Sequence, residues 1–310
     1  MPGMPPRHTI PCMVRVLGCG LVAIIAFLTA GYSVNVNGPI FNIPGPDIPI
    51  KNETKVEEVG GQRMHFVVLG DSIAMGFGVP SDMNYASLVA HAKGWTVKNL
   101  ARNGAQTAGR PDIDLLNLLT EDTPRALETQ AAVREADIIN ISIGGNDLLF
   151  APNFLSVLTQ LGLSGMRQTS QLDAIVNRMQ TNFEDCINRI RELNPDATIT
   201  VLRNIVPDFS GAGTIIPGFN LIGGGFQNIA AFAIDRFNAS FDMHLLQNPE
   251  AFVLINAREA FRVDDIKRYF IGTTHGSFDP IHLNSLGHAK LARVFIDEIN
   301  DHFSTKNSST

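Results

Sequence analysis

From Met64 onward, short apolar runs alternate with longer segments of helical period, and this alternation narrows the fold class more than any other feature of the chain. The strand candidates are His65–Leu69, Thr96–Leu100, Asp137–Ile143, Ala197–Leu202 and Ala251–Ile255. The helix candidates are Tyr85–Lys93, Pro124–Arg134, Leu172–Leu193, Gln227–Leu246 and Ser285–His302. Strands separated by helices pair in parallel, with the crossover helices covering both faces of the sheet. The expectation is therefore an α/β protein, with a mainly parallel five-stranded sheet inside a three-layer α/β/α sandwich. One domain is expected over residues 62–304, followed by a polar tail at 305–310.

In an open sheet of this kind, ligands bind beyond the carboxyl ends of the strands. The first run ends there in Gly70-Asp71-Ser72-Ile73. Gly70 permits a sharp turn and Asp71 can bond nearby backbone N–H groups, so the Ser72 hydroxyl would stand at the sheet edge. Taken alone, the same junction also reads as a plain helix start with Ser72 as its N-cap. The second run ends in Asn99-Leu100-Ala101-Arg102-Asn103-Gly104, where a glycine N–H can approach a ligand unobstructed, though Asn-Gly is also a common turn. The third ends in Gly144-Gly145-Asn146-Asp147. Asn146 offers an amide donor that an ionised carboxylate could not, and Asp147 could hold the loop. Before the last helix stands Asp279-Pro280-Ile281-His282, where Pro280 keeps Asp279 out of helical geometry and predicts a tight turn. An Asp three residues before a His can bond Nδ1–H, fix the tautomer and leave Nε2 free to take a proton. Asn284 or Ser285 would cap the helix that follows.

Together these residues supply a nucleophile (Ser72), a base (His282), an orienter for the base (Asp279) and three oxyanion donors: the N–H groups of Ser72 and Gly104 and the side chain of Asn146. That combination suits acyl transfer through a covalent intermediate. It resembles the GDSL, or SGNH, hydrolase family of esterases and lipases, whose four-letter name corresponds here to Ser72, Gly104, Asn146 and His282. The resemblance extends from about Met64 to Phe303. It implies a flavodoxin-like sheet, the SGNH hydrolase fold, and metal-independent ester hydrolysis with no cofactor. Two positions depart from the family pattern. Ile73 replaces a Leu, a mild apolar exchange, and Gly104-Ala105-Gln106-Thr107 spaces its Thr one residue late, which leaves Gly109 as the alternative to Gly104.

Two apolar segments exceed a minimal sandwich, Phe150–Met166 and the Gly-rich Ile205–Phe226. Each follows a strand and would overhang the sheet edge, either as substrate walls or simply packed on the other. The wall candidates are Phe154, Leu158, Phe209, Ile216 and Phe219.

The first 34 residues read as targeting sequence. Arg7 and Arg15 precede an uncharged run, Val16–Val34, of 19 residues. This is long for a signal-peptide core and just long enough to span a bilayer, so the segment is either a cleaved signal or an uncleaved membrane anchor. The arginines lie before the run, which places the body outside the cell or at its surface. Residues 35–61, rich in Pro, Gly and Asn, read as a linker.

Without the two arginines the formal charge moves from −6 to −8, and no basic run remains to serve a nucleic acid or an anionic membrane surface. Cys186 is the single cysteine of the body; it sits among Phe183, Ile187 and Ile190 and reads as a core residue. Asn52-Glu53-Thr54 and Asn238-Ala239-Ser240 match the glycosylation pattern.

Other chemistries fit less well. An α/β-hydrolase elbow needs Gly-x-Ser-x-Gly, and Ala74 breaks that pattern. A two-metal phosphoesterase needs several clustered Asp and His ligands, of which only Asp71, Asp147, Asp279 and His282 are candidates. A non-catalytic surface binding module would have no need of the full set of reactive residues. The partner expected is a small-molecule, lipid or cell-envelope ester. Fold and site do not choose between a lipase, a carbohydrate O-deacetylase and an acyltransferase, and the oligomeric state is open.

Overall fold

The computed structural model describes residues 58–59, 62–209, 223–262, 266–274 and 277–308. Its centre is a five-stranded sheet of β1 (His65–Gly70), β2 (Thr96–Asn99), β3 (Ile138–Ser142), β4 (Thr198–Leu202) and β5 (Val253–Ile255), in the order β2-β1-β3-β4-β5. Every neighbouring pair is parallel. That strand order is the flavodoxin-like one, and its order reversal lies between β1 and β3.

The layers follow from the alternation of side chains along each strand. Phe66 and Val68 of β1 point into one core with Tyr85, Val89, Leu291 and Phe295, supplied by α2 (Tyr85–Lys93) and the final helix (Ser285–Ser308). Val67 and Leu69 point into the other. There they meet α3 (Leu115–Thr120), α4 (Pro124–Glu135), α7 (Ser170–Leu193) and α8 (Gly223–Gln247). The amide of Asn140, fully buried in β3, is satisfied by Tyr85 Oη, which donates to its Oδ1 at 2.5 Å, and by its own donation to Thr200 Oγ1 at 3.0 Å.

Several expectations change in detail. Phe154–Leu163 forms a helix (α6) instead of an open wall; its nearly unbroken apolar run hides the helical period. The segment expected as a polar tail from 305 continues the last helix to Ser308, since no Gly or Pro intervenes to stop it. Asp279 and His282 lie in β7 (Ser277–Leu283), paired antiparallel with β6 (Phe270–Thr274), and not in a free turn. The turn geometry survives inside the strand. The register shifts between Phe270 and Gly272, so Pro280–His282 bulge out where Pro280 has no N–H to give the ladder.

Of the glycosylation patterns, Asn52 lies outside the described residues. Asn238 is 3% exposed, and its amide both accepts from the Asn204 N–H and donates to the Asn204 carbonyl, so no sugar fits on it in the folded chain. The targeting segment (1–34) and most of the linker (35–57 and 60–61) also lie outside the described residues; at the linker's end Glu58–Val59 pair antiparallel with Gln62–Arg63, and among the described residues no helix is long and apolar enough to cross a membrane.

Candidate active site

Gly70 ends β1 with φ +124°, and a Cβ there would lie 1.9 Å from the Ser142 carbonyl oxygen. Only glycine lets the ends of β1 and β3 approach this closely. The Asp71 N–H then donates to Ser142 O at 2.9 Å, and Asp71 Oδ1 caps the short helix α1 (Ser72–Met75) by accepting from Ile73 N at 3.0 Å. Asp71, not Ser72, is therefore the N-cap, which leaves the Ser72 hydroxyl free for another partner. That partner is His282 Nε2, 2.9 Å from Ser72 Oγ. On the far side of the ring, Nδ1 lies 2.7 Å from Asp279 Oδ2. Asp279 Oδ1 accepts from the Ile281 and His282 N–H groups at 3.1 and 2.9 Å, so one carboxylate shapes the bulge and faces the imidazole together. Burial raises the Asp279 carboxyl, but the hydrogen bond and charge of His282 prevail and hold it below the ordinary carboxylate value.

Of the expected donors, Ser72 and Asn146 line one cavity beside this pair, whereas Gly104 is not part of its lining. Among the described residues none accepts from the N–H of Ser72 or Gly104, whereas the Gly109 N–H is taken by Asn117 Oδ1 at 2.9 Å. That contrast favours Gly104 over its alternative. Asn146, on α5 (Gly145–Leu149), spends one amide hydrogen on Ala105 O at 2.9 Å and keeps the other. The Ala105 bond ties Asn146 to the loop that carries Gly104.

Sequence reading missed the bracing of that loop. The fully buried Asp114 carboxylate accepts from the Gln106 N–H at 2.8 Å, the Arg110 N–H at 2.7 Å and the Arg110 guanidinium, which in turn donates to Gly104 O. Asp147 holds the loop's other side, as its position suggested, by accepting from the Thr107 N–H and hydroxyl. Cys186 is buried beneath this loop, and burial pushes its thiol well above the ordinary value, which suits a core residue.

Burial raises the Asp147 carboxyl to about 6, against the opposing Thr107 hydrogen bonds. The group is neutral in folded and unfolded chains only well below its ordinary value of 3.8; as pH rises from there to about 6 the unfolded chain ionises first, so the folded state loses stability across that window. Asp147→Asn, compared with wild type by urea midpoint, is therefore expected to gain roughly 2–3 kcal/mol between pH 4 and pH 7.5. A stability difference that stays constant across that range would show that Asp147 is ionised at no cost.

Beside Ser72 opens a cavity of about 120 Å³, walled mainly by apolar side chains. Ser72 and Asn146 line it together with Phe154 and Leu158 of α6, Phe209, and Ala230 and Ala233 of α8. Three of the five expected wall residues thus meet at the site, and Ile216 and Phe219 lie outside the described residues. Among the described residues no group of three His, Cys, Asp or Glu side chains could hold a metal ion.

The model of the GDSL-like Lipase/Acylhydrolase family matches residues 68–290, which include every residue of this site. The chain belongs to that family. The uncharacterized protein YpmR of Bacillus subtilis (strain 168) is 31% identical over 159 residues, 48% of this chain and 52% of that one, so the chain spans about half the length of this curated relative. Among solved structures, the lipase Lip_vut3 from a goat rumen metagenome matches with a TM-score of 0.53 at 20% identity, over 75% of this chain and 95% of that one. Phospholipase A1 from Streptomyces albidoflavus NA297 matches at 0.51 and 19%, over 77% and 99%. Both likenesses are of fold, and they share with this GDSL chain the parallel α/β sandwich described above.

Proposed function

We propose that this GDSL hydrolase cleaves carboxylic esters of apolar acyl chains through an acyl-enzyme on Ser72. The observation that carries the reading is the Ser72–His282–Asp279 hydrogen-bonded chain whose Ser72 lines a mainly apolar cavity. Ser72 Oγ attacks the ester carbonyl carbon while His282 Nε2 takes its proton. The carbonyl oxygen becomes an oxyanion and receives the Ser72 and Gly104 N–H groups and the spare Asn146 amide hydrogen. Asp279 faces the imidazolium that forms, and His282 returns the proton to the departing alkoxide. Water, deprotonated by the same imidazole, then releases the carboxylic acid and restores Ser72.

The cavity supports an acyl chain longer than acetyl, and the two structural relatives, a lipase and a phospholipase A1, agree with such a substrate. The uncharged run after Arg15 supports a place outside the cell or at its surface, where a lipid or other envelope ester is the natural partner. Each buried methylene contributes about 0.8 kcal/mol. Across p-nitrophenyl esters, kcat/KM is therefore expected to rise about fourfold per methylene from acetate through at least butyrate or hexanoate. Ala230→Leu, which adds bulk to the cavity lining, is expected to reduce hexanoate turnover much more than acetate turnover. A sharp acetate optimum, unchanged by Ala230→Leu, would remove the acyl cavity from the reading and leave a deacetylase.

A further inference from the structure

The hydrogen bonds to Asp279 and Ser72 hold the His282 ring at two points within its own plane. Neither bond strongly resists rocking of the ring out of that plane. A third contact supplies that resistance: the ring of Phe77 lies against the imidazole with centroids 4.4 Å apart and planes 39° from one another. At this separation the two tilted rings are in van der Waals contact.

The backbone is built to put an aromatic ring there. The Phe77 N–H donates to Ser72 O at 3.0 Å, which ties the residue to the turn that bears the nucleophile. Gly78 follows with φ +85°, and a Cβ at that position would lie 2.4 Å from Ile271 Cδ1. The loop is thus pressed onto the β6 strand of the hairpin that carries His282, and only glycine allows it. Phe77 is half-buried and does not line the acyl cavity.

We propose that Phe77 is a positioning residue for His282, restraining the imidazole in the orientation that reaches Ser72 Oγ. Its ring face also attracts the imidazole more strongly once the latter is cationic, so the contact gains strength as the proton leaves Ser72. The inference rests on the assignment of His282 as base and Ser72 as nucleophile.

The test compares Phe77→Leu, which keeps apolar bulk but loses the flat face, with Phe77→Tyr, which keeps the face. Because the ring lies outside the cavity, Phe77→Leu is expected to lower kcat on butyrate ester about 10- to 100-fold with KM within about twofold. Phe77→Tyr is expected to stay within about threefold of wild type in kcat. Imidazole nitrogen NMR, with His282 assigned by its loss in His282→Gln, is expected to show the Nδ1–H form sharp in wild type and Phe77→Tyr, and averaged in Phe77→Leu. Such averaging is a signature that a merely structural contact would not move. Wild-type kcat in Phe77→Leu, or equal losses in Leu and Tyr variants with an unchanged nitrogen spectrum, would overturn the positioning role while Ser72→Ala stays inactive. If Ser72→Ala retained turnover, the assignment beneath the inference would fall first, and the inference with it.

Discussion

Ser72→Ala is expected to lower kcat on the order of 10³- to 10⁶-fold, and His282→Ala by a comparable factor. The two side chains act on one proton, so the double variant should be little worse than either single one. That non-additivity distinguishes a nucleophile–base pair from two independent binding contacts, whose losses would multiply. A fluorophosphonate should label wild-type protein at Ser72 and leave Ser72→Ala unlabelled, with folding of the variant checked by its thermal midpoint. Turnover should persist in chelator. Multiplicative losses, or activity abolished by EDTA and restored by a divalent metal, would move the chemistry away from Ser72.

Asn146→Ala is expected to lower kcat about 10²- to 10³-fold with little change in KM, because a neutral ester carbonyl accepts the amide hydrogen weakly and the oxyanion accepts it strongly. Asn146→Asp should be at least as damaging, since it sets a negative charge beside the developing one. Asn146 also donates to Ala105 O, and loss of that bond alone could shift the Gly104 loop. Asn146→Ser separates the two effects, because a hydroxyl too short to span both partners can restore only one. A change confined to KM across the three variants would reduce Asn146 to a loop brace.

The sheet was legible because strands buried on both faces must be apolar throughout, and five such runs stand out between helical segments. The reactive residues were legible for a different reason. The chemistry proposed for them admits few side chains, and the fold topology brings strand ends together, so Ser72, Asn146 and the Asp279–His282 pair could be singled out as candidates before it was seen that Ser72, His282 and Asp279 are hydrogen-bonded and that Asn146 shares a cavity with Ser72. Asp279 and His282 were expected in a turn because the sequence shows Pro280 but conceals the partner strand. Residues 270–274 include a glycine and two threonines and carry no alternating pattern. Asp114 left no signal at all. A carboxylate beside Arg110 and Asp112 reads as surface, and its full burial depends on three donors assembled only by the folded loop. Phe77, an aromatic between two glycines, carries no signal in the sequence because the ring it touches lies 205 positions further along the chain.

The proposed nucleophile and its proposed base reach the site on separate pieces of structure. Ser72 is mounted on the five-stranded sheet, whereas His282 and Asp279 share one strand of a two-stranded hairpin outside it. The imidazole and the carboxylate therefore travel as a single body, with the 2.7 Å contact between them set by three residues of local chain. Assembly of the reactive centre then reduces to one adjustable distance, from Nε2 to Oγ, governed by how the hairpin docks. The Asp208 N–H, which donates to Pro280 O at 2.8 Å, and the loop at Gly78 are moorings on that docking, one on each side. Substitutions far from Ser72 can tune reactivity through those moorings while leaving the base and its carboxylate in register.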